Sequence, residues 1–480
     1  MNTVPEQIDF DDMQGLLRFG HGRLVEAEFL LLRIADRTAA GTWFASAPVT
    51  SARTQDAPPS TALQIAFTAA GLRALGLDDA TIEQFPQPFL AGMGQEDSRS
   101  RRLGDTGAND PANWVWNGDE AHVLLMLYAT KGGLSAWTDH LLTPPFETAF
   151  HTLRHMPTRP SDGIEPFGFT DGISEPKIDW QQTHPPAKHG REDYSNLISP
   201  GEVVLGHLNE YNERAPTPVI GDTDLGRGGT YLVMRQLAQD VPGFWRYIDH
   251  ASGGDPGHRE RLSASMVGRT RDGTPLIRDR RDIEGSAPGN DFDYADDVNG
   301  VGCPLGAHVR RANPRTGDQP RRGQHWWHWI FGTLGFRRRV DRLAGRHDLV
   351  ASTRFHRLVR RGRVYGSDLP PDDALKADPD TDERGIFFIC LCADIVRQFE
   401  FVQNAWIAAP KFNGLDGEAD PLLGNRDSIG DVATGGFSIQ RADGLATRHP
   451  DLPRFVTVRG GGYFFLPGLR ALKIIASQTT

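Results

Sequence analysis

The stretch Cys303-Pro-Leu-Gly-Ala-His308-Val-Arg310-Arg-Ala-Asn-Pro-Arg315 places one histidine between small, apolar residues and a cationic cluster. A histidine in an apolar wall can ligate a metal, and neighbouring guanidinium groups can pair with the carboxylates of an anionic macrocycle. His308 is therefore a candidate iron ligand. The alternative, which the stretch alone leaves open, is a core histidine bonded to a backbone carbonyl.

Upstream of this stretch, Gly168-Phe-Thr-Asp171-Gly172-Ile-Ser-Glu-Pro176 sets an aspartate between two glycines. Glycines let the backbone bend tightly and approach another surface closely. Asp171 and Gly172 are therefore candidate site residues. Most turns rich in glycine and aspartate are only structural, so this motif alone does not decide between the two interpretations.

Downstream, His356-Arg-Leu-Val-Arg360-Arg-Gly-Arg-Val-Tyr365-Gly366 shows the alternation typical of a strand. Arg360 would point to one defined face of that strand, although most arginine-rich strands are simply solvated. The chain contains no Walker loop, dinucleotide-binding glycine pattern, His-Glu-x-x-His or Gly-x-Ser-x-Gly motif that would favour a different chemistry.

Taken together, these three segments resemble the dye-decolourising peroxidase family. The resemblance implies that His308 is the axial ligand of a haem b, that Asp171 and Gly172 belong to the distal Gly-x-x-Asp-Gly signature, and that Arg360 is the distal catalytic arginine. Further similar segments extend the resemblance over nearly the whole chain and favour the longer bacterial branch of the family. These segments are Asp12–Gly15, Gly104–Asn109, Val204–Tyr211, Met266–Gly268 and Arg397–Gln403.

The family's fold is α+β, with two ferredoxin-like domains of antiparallel sheet and flanking helices, and with the haem held mainly by the C-terminal domain. The chain's own pattern agrees, because 480 residues exceed one ordinary domain and strand-like and helical runs alternate irregularly. We expect an N-terminal domain at 1–195 and a C-terminal haem-binding domain at 196–480. Strands are predicted near 28–34, 122–128, 230–235, 385–392 and 460–466, and a strand that passes into a short helix is predicted over 61–76. Helices are predicted near 135–154 and 397–406, and another from the end of the 230–235 strand through Trp245.

The interval between His308 and Arg360 is longer than in compact members of the family. Residues 316–352 fill it with a segment rich in tryptophan and arginine. Three interpretations stay open: a surface excursion, a lid or oligomer contact, and a membrane-touching segment or a metal site at His325 and His328.

The resemblance also implies a division of labour within the site. A carboxylate can carry a proton between two peroxide oxygens, so Asp171 is expected to be the acid–base catalyst and activity to favour mildly acidic pH. Arg360 stays cationic and can stabilise charge on the separating peroxide. We expect Asp394 to bind the second nitrogen of His308, with a local turn as the equally open alternative. Arg310 is expected to pair with a haem propionate.

The composition of the chain limits which classes of partner and which cellular location are expected. The net charge of -10 gives no sign of nucleic-acid binding, and no apolar run approaches the roughly 18 residues of a membrane span. The first residues show no secretion signal, and three cysteines are too few for a disulfide framework, so a cytoplasmic location is expected. The expected substrates are hydrogen peroxide and an organic electron donor such as a dye or phenol; a homo-oligomer is left open.

A second class of function uses the same ligand. A haem-binding protein that handles haem or its iron without peroxidase turnover would need His308 but would tolerate the loss of Asp171 and Arg360. The presence of both residues favours the peroxidase.

Overall fold

The computed structural model describes residues 7–183, 195–277, 289–317, 352–377 and 382–479. The predicted insertion at 316–352 therefore lies outside the described residues except at its two edges. Within the described ranges, no helix is both long and apolar enough to cross a membrane.

Ten strands of the described chain join in one sheet, with the order β11-β13-β10-β16-β2-β4-β1-β5 and with β12 paired to β13 and β3 to β16. The strands are β1 Glu26–Ile34, β2 Thr61–Phe67, β3 Trp116–Asn117, β4 Val123–Ala129, β5 Phe150–Pro157, β6 Lys177–Ile178, β7 Leu197–Ile198, β8 Val219–Ile220, β9 Thr223–Asp224, β10 Thr230–Gln239, β11 Val359–Arg360, β12 Arg363–Tyr365, β13 Gly385–Cys392, β14 Phe437–Gln440, β15 Ala446–His449 and β16 Val456–Leu466.

The sheet consists of two antiparallel halves with the same topology. In the first half the order is β5-β1-β4-β2, and in the second it is β16-β10-β13 followed by β11 and β12. Numbered along the chain, each half has its fourth strand beside the first, then the third, then the second, which is the ferredoxin-like arrangement. The halves meet where Phe465 of β16 pairs with Phe67 of β2.

Helices cover both halves of the sheet. The α-helices are Gly15–Phe19, Arg37–Ser46, Ala69–Ala74, Asp79–Ile82, Gln87–Ala91, Asp97–Leu103, Leu134–Leu141, Pro144–Ala149, Val241–Ala251, Pro256–Val267, His308–Ala312, Pro371–Ala374 and Leu469–Ser477. Short 3-10 turns span Gly107–Asn109, Pro111–Asn113, Gly118–Glu120, Pro200–Glu202 and Ser352–His356, and π-helical turns span Val396–Glu400 and Val402–Ala408.

The predicted strands are all present because their sequences suit burial. Every residue of β4 is buried, as its continuous apolar run Val123-Leu-Leu-Met-Leu-Tyr-Ala129 requires for a strand covered on both faces. The single helix predicted over 135–154 was wrong. Two short helices occupy 134–149, and β5 begins at Phe150, because Pro144 can begin a helix but cannot continue one.

The two halves share a core. The ring of Phe85 from the first half packs edge-on against Phe465 of β16 at 5.2 Å, and the C-terminal helix Leu469–Ser477 packs on the helix Arg37–Ser46. We propose that the domains divide near residue 195, as the sequence suggests, since the first half's sheet ends with β5 and the second half's begins with β10.

Candidate active site

A cavity of about 280 Å³ is lined on one side by the sheet of the second half and on another by the helix His308–Ala312. Residues of the first half, among them Leu103, Glu165 and Asp171, also line it. The register aligns Arg235 with Phe388 and Leu237 with Ile386, so alternate residues of β10 and β13 share one face. Together with β16 they form the sheet wall, whose residues are Arg235, Leu237, Gln239, Ile386, Phe388, Val456 and Val458.

His308 is the first residue of its short helix and lines the cavity. A carboxylate holds the imidazole ring through Nδ1. Its Nδ1 lies 2.9 Å from Oδ2 of Asp420, a carboxylate with no exposed surface. The other oxygen of Asp420 accepts the amides of Leu422 and Leu423 at 2.9 and 2.8 Å, which fixes the carboxylate in turn. In the described part of the chain nothing hydrogen-bonds Nε2 of His308, which leaves that nitrogen available to a ligand in the cavity.

Each group of this pair stabilises the charged form of the other. Burial opposes charge on both groups, but the interaction between them outweighs it. The pKa of His308 is therefore raised and the pKa of Asp420 is lowered from its ordinary value.

Asp394 is not the partner of His308, and that prediction was wrong. Its Oδ1 accepts the backbone amide of Arg397 at 2.9 Å, and its side chain is 43% exposed. The carboxylate caps the turn that follows β13, which is the alternative that the sequence left open. Asp420 was missed because it lies 112 residues beyond His308, and the local pattern Asp420-Pro-Leu-Leu indicates only a turn.

Asp171 and Arg360 meet on the cavity wall. Nη1 of Arg360 lies 3.0 Å from Oδ1 of Asp171, and its Nε lies 2.8 Å from Oε1 of Glu175. The second oxygen of Glu175 accepts the backbone amide of Arg360 at 2.9 Å. Glu175 was not among the residues predicted from the sequence, although it lies in the same segment as Asp171.

The electrostatics keep Asp171 ionised. Its side chain is 48% exposed, toward the cavity, and the surrounding protein still favours its neutral form. The Arg360 guanidinium and the Gly172 amide outweigh that effect, and the pKa of Asp171 lies below its ordinary value. Asp171, followed by Glu175, raises the pKa of Arg360 despite its burial. The pair is therefore charged at neutral pH.

Two other predicted contacts differ in the structure. Arg310 is 1% exposed and does not line the cavity, because its Nη1 donates to Asp297 Oδ2 at 2.8 Å and to the Cys303 carbonyl at 2.7 Å. Arg310 follows His308 by two residues, which is a rotation of about 200° around a helix, so it points away from the face that His308 presents. Gly172 does not line the cavity either; its amide donates to Asp171 Oδ1 at 2.7 Å, with φ of +80°.

The residues present fit a haem. Mostly aliphatic and aromatic walls suit an apolar macrocycle, and the anchored imidazole offers one nitrogen as an axial ligand. Polar side chains also line the cavity and could pair with the carboxylates of such a macrocycle; among them are Asn313, Thr353, His356 and Arg357. Among the described residues, no group of three or more histidine, cysteine or acidic side chains could hold a metal ion directly.

No protein-family model matches the chain. Among curated proteins, it is 30% identical over 445 residues to dye-decolorizing peroxidase msp1 of Mycetinis scorodonius, which covers 87% of this chain and 77% of that protein. It is also 30% identical over 327 residues to the multifunctional dye peroxidase DyP2 of an Amycolatopsis strain, covering 65% and 61% of the two chains.

Solved structures confirm the fold. A fungal DyP-type peroxidase from Auricularia auricula-judae superimposes with a TM-score of 0.72 at 23% identity, covering 99% of this chain and all of that one. Because fungal proteins stand among these similar proteins, the expected placement in the longer bacterial branch is not confirmed. The extent of the match to the Mycetinis protein shows that the chain belongs to the dye-decolourising peroxidase family of haem-dependent enzymes.

Proposed function

We propose that this haem peroxidase reduces hydrogen peroxide with Asp171 and Arg360 and draws single electrons from organic donors such as dyes and phenols. The observation that carries the proposal is the 3.0 Å contact between Arg360 and Asp171 on the wall of the cavity that His308 also lines. A haem-storage protein would not need a charged acid–base pair beside its ligand.

Asp171 is suited to move a proton between the two peroxide oxygens. Its lowered pKa keeps it ionised in mildly acidic solution, so it can accept a proton from one oxygen. The same carboxyl group can then return that proton to the other oxygen as it leaves. The Gly172 amide fixes Oδ1 during both transfers.

Arg360 is suited to hold the peroxide and stabilise charge on it. Its guanidinium is a permanent cation, and the two carboxylates at 3.0 and 2.8 Å orient it without removing that charge. Donors placed in advance need little reorganisation during the reaction, which is the source of their catalytic value.

His308 would bind the iron through Nε2, and Asp420 would hold the imidazole in the tautomer that presents this nitrogen. A bound haem supplies the iron that activates peroxide and accepts the donors' electrons. Arg357, which lines the cavity, would pair with a propionate in place of Arg310. His356 also lines the cavity, but burial lowers its pKa to about 4, so it would offer a neutral ring and no charge.

We infer a cytoplasmic location for the enzyme. The inference is supported by three free cysteines, Cys303, Cys390 and Cys392, all of which are buried thiols without disulfide partners. The thiols of Cys390 and Cys392 lie within the sheet core, where burial raises their pKa and leaves them unreactive.

The test is an absorption spectrum of the haem-reconstituted protein before and after one equivalent of hydrogen peroxide. Wild type should show a prompt shift of the Soret band, His308→Ala should bind haem weakly or stay inert, and Asp171→Asn should bind haem but react slowly. A bound haem that ignores peroxide in wild type would favour haem handling instead. A protein that binds no haem would contradict both functions.

A further inference from the structure

Arg269 is a buried arginine on the cavity wall that the proposed chemistry does not use. It follows directly on Gly268, which ends the helix Pro256–Val267, and it is 3% exposed. No described carboxylate lies within ion-pair distance of it. A buried cation without a counter-ion is costly, so its position calls for a specific explanation.

The guanidinium of Arg269 joins three separate segments. Nη1 donates to the carbonyls of Gly273 and Gly289, both at 2.7 Å, and Nη2 donates to Oγ of Ser174 at 2.8 Å. Ser174 lies three residues after Asp171 in the same loop. Arg269 therefore ties the loop that carries the catalytic carboxylate to two other parts of the chain.

The turn that Arg269 begins also holds the start of this loop. The backbone amide of Thr170 donates to the carbonyl of Arg271 at 2.9 Å, and Ile173 packs against Gly273 so closely that a Cβ there would lie 2.2 Å from its Cδ1. Asp171 is thus fixed between a backbone contact before it and a side-chain contact after it.

We propose that Arg269 is the positioning residue for Asp171 and holds the 170–175 loop so that the carboxylate meets Arg360. The proposal rests on the proposed function of Asp171. It does not make Arg269 a catalytic residue, because its hydrogen bonds go to the loop and its neighbours. Burial lowers the pKa of Arg269 to about 10, so it remains a cation at neutral pH.

The first test measures the hydrogen exchange rate of the 170–175 loop in the haem-free protein, without peroxide. Hydrogen–deuterium exchange of the peptide that contains Thr170 and Asp171 should be about tenfold faster in Arg269→Lys, because the single nitrogen of a lysine cannot reach acceptors that two separate Nη atoms contact. Arg261→Lys is the matched control: this exposed arginine lies on the helix that leads to Arg269, and its variant should exchange like wild type. Unchanged exchange in Arg269→Lys would overturn the proposal.

The second test is a double-mutant cycle on the haem-loaded enzyme. Arg269→Lys should slow the peroxide-induced Soret change roughly 10- to 100-fold, with haem affinity unchanged. In an Asp171→Asn background the same substitution should change the remaining rate by less than about threefold, since the two residues act through one contact. An equal loss in both backgrounds, or a loss explained by weaker haem binding, would contradict positioning.

Ser174→Ala covers the case in which Arg269→Lys does not fold. It removes only the acceptor on the loop, and we expect faster exchange of the same peptide and a rate loss of about 3- to 10-fold that disappears in the Asp171→Asn background. A rate equal to wild type would overturn the proposal. If the wild-type protein does not react with peroxide, the proposed function fails, and the exchange experiment still shows whether Arg269 holds the 170–175 loop.

Discussion

The Nδ1 atom of His308 lies 2.9 Å from Oδ2 of Asp420, and the two residues are 112 positions apart in the chain. The carboxylate has no exposed surface and is held by two backbone amides of its own. A histidine oriented in this way is a stronger and better-placed ligand than one that is free to rotate.

Replacing Asp420 by asparagine should weaken the hold on His308. We expect haem affinity to fall by roughly 10- to 100-fold and the iron–imidazole stretching frequency in resonance Raman spectra to decrease. Asp394→Asn is the matched control, since Asp394 caps a turn and does not touch His308. Equal effects of the two substitutions would contradict the assignment of Asp420.

Removing the charge of Asp171 should slow the reaction with peroxide while leaving haem in place. We expect Asp171→Asn to reduce the rate by about 10²- to 10⁴-fold, the usual contribution of acid–base catalysis, in stopped-flow measurements of the Soret change. Asp139→Asn, at an exposed position of the first half, serves as control. A rate within threefold of wild type would argue against proton transfer by Asp171.

The acid limit of activity should depend on Arg360. Its guanidinium lowers the pKa of Asp171, so the active carboxylate persists to more acidic pH and is lost as the pH falls through that lowered value. In Arg360→Gln the pKa of Asp171 should rise, and the acidic limb of kcat/KM for peroxide should move up by about one pH unit or more. An unmoved limb, or a wild-type optimum above neutrality, would count against this pair.

Arg310 should matter for stability and not for haem. It is buried and pairs with Asp297 at 2.8 Å, so Arg310→Met leaves a carboxylate without its partner. We expect the unfolding free energy of the haem-free protein to fall by about 3 kcal/mol or more, measured by denaturant titration. The folded fraction should bind haem with unchanged affinity, whereas a selective loss of haem binding would restore the propionate role for Arg310.

Glu165, which also lines the cavity, should make the haem-free protein less stable as the pH rises. Burial raises its pKa to about 7 from an ordinary value of 4.5, so the folded state holds the proton more tightly than the unfolded state. This stabilisation is complete below about pH 4.5 and is lost as the pH passes 7. Relative to Glu165→Gln, wild type should lose roughly 1 to 3 kcal/mol between pH 5 and 8, and parallel profiles would refute this.

The sequence by itself determined the parts of the site that sit in distinctive local patterns. The segments around His308, Asp171 and Arg360 combine glycines, prolines and arginines in arrangements that few folds require, and their resemblance to one family follows from the residue order alone. Continuous apolar runs such as Val123–Ala129 likewise indicated the buried strands, because a strand that is buried on both faces has apolar residues at every position and no alternation with polar ones.

Only the tertiary structure decided which groups support that site. Asp420, Glu175 and Arg269 act on their partners across 112, 185 and 95 positions of the chain, and the spacing between such residues carries no signal. Arg310 was predicted because it lies two residues after His308, and Asp394 because it follows an apolar strand, yet a half-rotation of helix and a turn direct their side chains elsewhere. Hydrogen bonds depend on distances of about 3 Å and on direction, and those are fixed only when the strands and helices have packed.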